Sequence, residues 1–289
     1  MKRILLAAAI IYSGNLGAQA KLVSQATVNT TTTVIAPDEE DVSAIQGQGD
    51  GRMMFRNFGD GETKSVTYLK NDLVKTVMKS DMGRSTTIRD NGKKLTTTLI
   101  EMMGTKTGFY ATDEEQAAMR KRMDSMMQAT RNGTDTGRRR NMRPAETVAP
   151  EIIYTEETKK IAGYNCKKTY IVHTRLLGNK DSSVIWYTPE FKLQNVSTTG
   201  GLSAFGGSTN TSLANPYEKI DGFIMRYESK MPRGRYMVVE VSKVDLAKEV
   251  ADKEFEIPKD FEVKPIKDMQ GMMQGAGGAG RTQMIIRGN

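Results

Sequence analysis

TEETKKIAGYNCKKTYIVHTRLLGNKDSSVIWYTPE (residues 155–190) is the stretch whose reading decides the fold. Residues 167–177 and 183–188 are both rich in β-branched and aromatic side chains, and neither shows a helical apolar period. Gly178-Asn179-Lys180-Asp181 lies between them and carries turn chemistry, so the segment predicts a β-hairpin. Cys166, the single cysteine, reads as a buried, inert strand residue, and with one thiol no intramolecular disulfide is possible. His173, the single histidine, reads as a strand residue rather than a base.

On the C-terminal side, residues 223–230 and 235–248 predict another hairpin over Met231-Pro232-Arg233-Gly234. Residues 200–212 form a Gly- and Ser-rich loop. Phe255-Glu256-Ile257-Pro258 and Phe261 close the domain, and residues 267–289 read as a disordered Gly/Met-rich tail. On the N-terminal side, residues 151–154 form a short strand. Before it, residues 113–130 predict the one clear helix. Thr112 and Glu115 have capping-box spacing at its start, and Asn132-Gly133 follows its end.

Strands also dominate residues 52–109, at 53–58, 66–69, 73–78, 84–89 and 94–101, with Asn91-Gly92 as a short hairpin signal. Runs of strands around a single helix, without βαβ alternation, predict a β-rich (α+β) class. The simplest form is one continuous antiparallel sheet closing over the helix. Residues 21–51 read as a loose N-terminal arm with a short strand at 28–35. The main domain then spans residues 52–266.

The first twenty residues have signal-peptide form. Lys2 and Arg3 precede an apolar core over residues 4–12, and Ala18-Gln19-Ala20 is a small-x-small cleavage site. The core is too short for a bilayer about 30 Å thick. This predicts an exported chain, periplasmic or associated with the outer envelope, and no integral membrane protein. The net charge of +8 is concentrated, since residues 120–143 carry eight Arg or Lys against two Asp. Residues 131–149 form a basic loop in which Arg138, Arg139 and Arg140 are a candidate contact for an anionic envelope surface. No aromatic residue interleaves these cations, and an exported chain is a poor partner for nucleic acid.

No Gly-x-Ser-x-Gly, His-Glu-x-x-His or Cys-x-x-Cys is present, so the sequence offers no catalytic residues, metal ligands or cofactor site. It does overuse methionine, with 19 residues. Met119, Met123, Met126 and Met127 recur at helical spacing. They fit core filling, or a soft, adaptable face roofing an apolar ligand groove. A thioether site for Cu(I) lacks supporting His or Cys.

Ile161-Ala162-Gly163-Tyr164-Asn165-Cys166-Lys167-Lys168 with Trp186-Tyr187-Thr188-Pro189 resembles a family of exported, mostly Bacteroidota proteins with a LolA-like (lipoprotein-carrier-like) fold. Tyr68-Leu69-Lys70-Asn71-Asp72-Leu73-Val74-Lys75, Met102-Met103-Gly104 and Phe255-Glu256-Ile257-Pro258 add to the likeness, which spans residues 52–263. The resemblance implies an antiparallel half-barrel sheet wrapped on one main helix, with an apolar hollow. It also implies a non-catalytic role binding a lipid, acyl chain or lipidated peptide. The alternative is a structural or interaction protein of the envelope with a filled core and no ligand. The family supplies no catalytic residues to carry over.

Overall fold

The computed structural model describes residues 20–35, 61–81, 83–133, 149–174, 180–195, 216–231 and 234–268. The expected strand at 53–58, the loop containing Arg138, Arg139 and Arg140, the insert at 200–212 and residues 269–289 lie outside them.

Twelve described strands form one open sheet in the order β14-β7-β6-β5-β4-β3-β2-β13-β12-β10-β9-β8. They are β2 (Gln25–Ile35), β3 (Gly61–Lys70), β4 (Leu73–Ser80), β5 (Gly83–Asp90), β6 (Leu95–Met102), β7 (Thr105–Thr112), β8 (Glu151–Ile161), β9 (Tyr164–Thr174), β10 (Lys180–Thr188), β12 (Phe223–Lys230), β13 (Tyr236–Asp245) and β14 (Glu262–Pro265). Neighbours are antiparallel except at one edge, where β14 runs parallel to β7. A separate parallel pair joins β1 (Lys21–Val23) to β11 (Phe191–Leu193). The continuous antiparallel, β-rich sheet expected from the sequence is the observed architecture.

The largest correction concerns the N-terminal arm. The short strand expected at 28–35 is longer and central: β2 covers residues 25–35 and sits in the middle of the sheet, hydrogen-bonded to β13 on one side and β3 on the other. The physical reason lies in QATVNTTTTVI. Its polarity suggests an arm, but threonine is β-branched and favours strands. Ala26, Val28, Thr32 and Val34 are buried at alternate spacing, as a half-buried strand requires. Without β2 the β3–β7 meander and the β8–β13 hairpins would be two separate sheets.

Two turns also differ from expectation. The 151–154 strand extends through Ile161, and Ala162 (φ 47°) with Gly163 (φ 90°) makes a two-residue hairpin turn into β9. Both residues take left-handed angles, as a type I′ turn demands. The Asn91-Gly92 signal does mark a hairpin, but its loop has four residues, because Asp90 pairs with Leu95. Asp90 Oδ1 accepts the Lys93 N–H at 2.9 Å, and Lys94 (φ 52°) takes the left-handed position.

The core changes sides across the sheet. Residues directly opposite in a ladder share a face. Thr169, Ile185, Tyr227, Val239 and Thr32 stand in one row across β9, β10, β12, β13 and β2, and all are buried. Tyr217 and Ile220, at the 3-10 turn Pro216–Lys219, join this cluster. In β5 and β6 the buried residues lie on the opposite face: Thr86, Ile88, Thr97 and Leu99. The chain after β13 returns over that side. Lys70 Nζ meets Asp252 Oδ1 at 2.7 Å, and Lys75 Nζ reaches the Glu254 carbonyl. Gly108 faces Val263 of β14 so closely that a Cβ there would lie 2.9 Å from Val263 Cγ2 and 2.8 Å from Leu99 Cδ2.

Candidate functional site

The change of sides leaves one region of the sheet half-covered. Two rows cross β3–β7 on the face away from the returning C-terminal segment. One is Thr67–Thr76–Thr87–Thr98–Phe109, and the other is Ser65–Met78–Ser85–Ile100–Thr107. All ten residues are half-buried. The hydroxyls of Thr67 and Thr76 bond to each other at 3.0 Å, and Met78, Ile100 and Phe109 share their face. The adjoining row, Leu69–Val74–Arg89–Thr96–Ala111, is closed at both ends by buried Leu69 and Ala111.

Helix α1 (Asp113–Gly133) follows directly from β7 at the edge of this face. Its start is fixed in two ways. The predicted capping box is present: the Glu115 N–H donates to Thr112 Oγ1 at 3.2 Å, and the Thr112 N–H donates to Glu115 Oε2 at 3.0 Å. In addition, Arg89 donates from both terminal nitrogens to Asp113, with Nη2 to Oδ2 at 2.9 Å, and its Nε donates to Asn91 Oδ1 at 3.1 Å. The Arg89 hydrogen bonds hold the Asp113 carboxyl below its ordinary range. Arg89 lies on the same face as the two rows, so this bridge ties the helix start to the half-covered surface.

The sequence-predicted site residues fare unevenly. Met119 is half-buried on α1. Met123, Met126 and Met127 lie on the helix backbone, but their side chains fall outside the described residues, as do Arg138, Arg139 and Arg140. Cys166 is fully buried, and burial pushes its thiol up to about 11, which agrees with the inert reading. His173 stands on β9 opposite Asp181. Among the described residues no group of three or more His, Cys, Asp or Glu is placed to hold a metal ion, and no helix is long and apolar enough to cross a membrane.

Part of the outward face of the other half is polar. Lys168, Trp186, Arg226 and Glu240 stand opposite one another on four strands. Lys168 Nζ lies 5.7 Å and Lys159 Nζ 5.6 Å from the indole centroid. Arg226 is shared between Glu228 and Glu240, and Tyr236 donates to Glu228 at 2.6 Å, so its phenol is pushed up to about 12 by burial and that bond. These groups satisfy one another, as a surface network does, and leave little hydrogen-bonding capacity for a ligand.

Sequence reasoning missed the Met78, Ile100 and Phe109 face. The signal was there: Val77-Met78 and Leu99-Ile100 are adjacent apolar pairs, and adjacent strand residues point to opposite faces. A strand with apolar residues on both faces has two surfaces to cover.

The molecule is thus a β-rich protein built on one open, almost wholly antiparallel sheet with a helix at its margin. It belongs to the family described as domain of unknown function (DUF4412), whose sequence model matches residues 50–261. No curated protein matches it. Among solved structures, PNGF-II is 14% identical with a TM-score of 0.36, over 86% of this chain and 33% of that one. This chain therefore spans about a third of that protein. LolA superfamily protein NE2245 from Nitrosomonas europaea is 10% identical with a TM-score of 0.28, over 81% of this chain and 90% of that one. Likenesses this distant carry no argument about function.

Proposed function

We propose that this chain is a non-catalytic, exported protein of the cell envelope that holds an apolar ligand on the half-covered face of β3–β7. The ligand is a lipid, an acyl chain or a lipidated peptide. One observation carries the reading: two five-residue rows that include Met78, Ile100 and Phe109 remain half-buried, while on the reverse side of β5 and β6 Thr86, Ile88, Thr97 and Leu99 are buried. Threonine methyls and a few large apolar side chains suit a surface that is wet when empty and dry when filled. Burial of each CH₂ contributes about 0.8 kcal/mol, so affinity for a long chain needs no polar anchor.

In this reading α1 roofs the face with Met119, Met123, Met126 and Met127, whose flexible thioethers adapt to varied chains. Arg138, Arg139 and Arg140 then meet an anionic headgroup or the envelope surface. The test is a titration with fluorescent fatty acids of increasing length, repeated with all three arginines changed to serine. Affinity that rises with chain length and survives the arginine changes supports the apolar face. Salt-sensitive binding lost in that variant moves the function to the basic loop. No binding at any length leaves a structural envelope protein without a ligand.

A further inference from the structure

The segments at residues 162–166 and 188–190 have a structural meaning that ligand binding does not use. Tyr164-Asn165-Cys166 follows the tight turn at Ala162-Gly163, and Thr188-Pro189-Glu190 links β10 to β11. They converge on Glu190. The Asn165 N–H donates to Glu190 Oε1 at 3.2 Å, and the Glu190 N–H donates to Thr188 Oγ1 at 3.3 Å. Tyr164 packs edge-on against Phe191, the residue after Glu190, with ring centroids 5.1 Å apart. The carbonyl of Glu190, thus braced, accepts the backbone N–H of Lys21 at 3.1 Å.

Lys21 is the residue that follows Ala18-Gln19-Ala20, the cleavage site expected from the sequence, and the inference rests on that expectation. We infer that the braced Glu190 corner is a receptor for the mature N-terminus, and that processing after Ala20 strengthens the seating of β1. Before cleavage the Lys21 nitrogen is a neutral amide with one N–H, already committed, and the leader must run on past Glu190. After cleavage it is an ammonium with three donors. Its bond to the Glu190 carbonyl becomes charge-assisted, and the Glu190 carboxylate lies on the same residue.

The contact matters because β1 has little else. It is a three-residue strand in a two-stranded parallel pair, an arrangement with marginal stability of its own, and Leu22 is 64% exposed. Besides the ladder and the packing of Val23 against the core, its two ends secure it. Lys21 bonds to Glu190 at one end, and at the other the Gln194 N–H donates to Val23 O at 2.8 Å. Ser24 then leads directly into β2, whose carbonyl-side neighbour contact, the Asn71 N–H donating to Ser24 O, is 2.7 Å. Seating the N-terminus therefore seats the strand that joins the two halves of the sheet.

The test measures hydrogen exchange at the Gln194 amide in three forms of the chain ending at Asn289. They are a form starting at Lys21 with a free amine, the same form acetylated at its N-terminus, and a form that retains Gln19-Ala20. For an exposed charge-assisted bond the free amine should slow exchange about threefold relative to the other two. Glu190→Ala in the free-amine form keeps the carbonyl but removes the carboxylate that braces it and faces the new charge, so it should reduce that advantage while the amides of β9 stay protected. Equal exchange in all three forms overturns the inference, and so does an advantage undiminished in the Glu190→Ala variant. N-terminal sequencing of the native protein is read separately: a start elsewhere than Lys21 also overturns it, without touching the ligand-binding reading.

Discussion

The same face of one sheet behaves differently in its two halves. Across β9, β10, β12, β13 and β2 the row Thr169–Ile185–Tyr227–Val239–Thr32 is buried. Farther along that face, across β3–β7, the rows through Met78 and Ile100 are only half-buried. The composition of the strands does not explain the contrast, since both halves mix threonine with large apolar residues. The covering segments do. The Tyr217–Ile220 turn packs on one half, whereas the chain after β13 crosses to the reverse side of the other. A sheet whose core changes sides has a stretch of apolar face left over, and that stretch is the candidate site.

The strongest way to break this comparison is to remove the strand that unites the halves. Thr32→Pro deletes a ladder donor in the centre of the sheet, where proline is not accommodated. It should cost more than any side-chain truncation and replace one cooperative thermal transition with two or with none. A single unshifted transition would show that β2 does not hold the halves together.

Next in size is the pair Leu99 and Ile100, neighbours on opposite faces. Leu99 is 2% exposed, so Leu99→Ala should cost about 2–5 kcal/mol, as large-to-small core changes do. Ile100→Ala should cost about 1 kcal/mol or less, nearer to the range of surface changes. It should instead weaken ligand binding. Equal losses of thermal stability would mean that both faces are closed.

The smallest expected effect belongs to the helix anchor. The carboxyl of Asp113 titrates below its ordinary range because Arg89 donates to it. A lowered native pKa gives a contribution that is fully present above the unfolded value of about 3.9 and is lost as pH falls through the native value. Asp113→Asn should therefore lower stability slightly at neutral pH and match the wild type in strong acid. A difference between the two that stays constant from neutral to strongly acid pH would assign the effect to packing rather than charge.

Much of this architecture is legible in the sequence, because hairpins announce themselves locally. The β9–β10 strands, the helix and its Thr112–Glu115 cap follow from turn chemistry, β-branched runs and capping rules. Of β2 only a short strand at 28–35 was legible; its place at the centre of the sheet was hidden, because its threonines are polar in composition yet strand-forming in geometry. The change of core side was illegible for another reason. It depends on where residues 246–265 return, and no local period records that path. The candidate face inherits the difficulty, since Met78, Ile100 and Phe109 look like ordinary strand residues until the register aligns them. The tight turn at Ala162-Gly163 shows the reverse case, in which a motif conspicuous in sequence shapes a corner of the fold.

The most direct test of the central claim is to map where an apolar ligand rests. A long-chain fatty acid carrying a diazirine near its tail would be photolysed with the chain starting at Lys21, and the labelled peptides would be identified by mass spectrometry. The account predicts labelling on the segments that contain Met78, Ile100 and Phe109, lost in competition with unlabelled fatty acid and reduced by Ile100→Ala. Labelling confined to the Lys168–Trp186–Arg226 face, or spread evenly over the surface without competition, would contradict it.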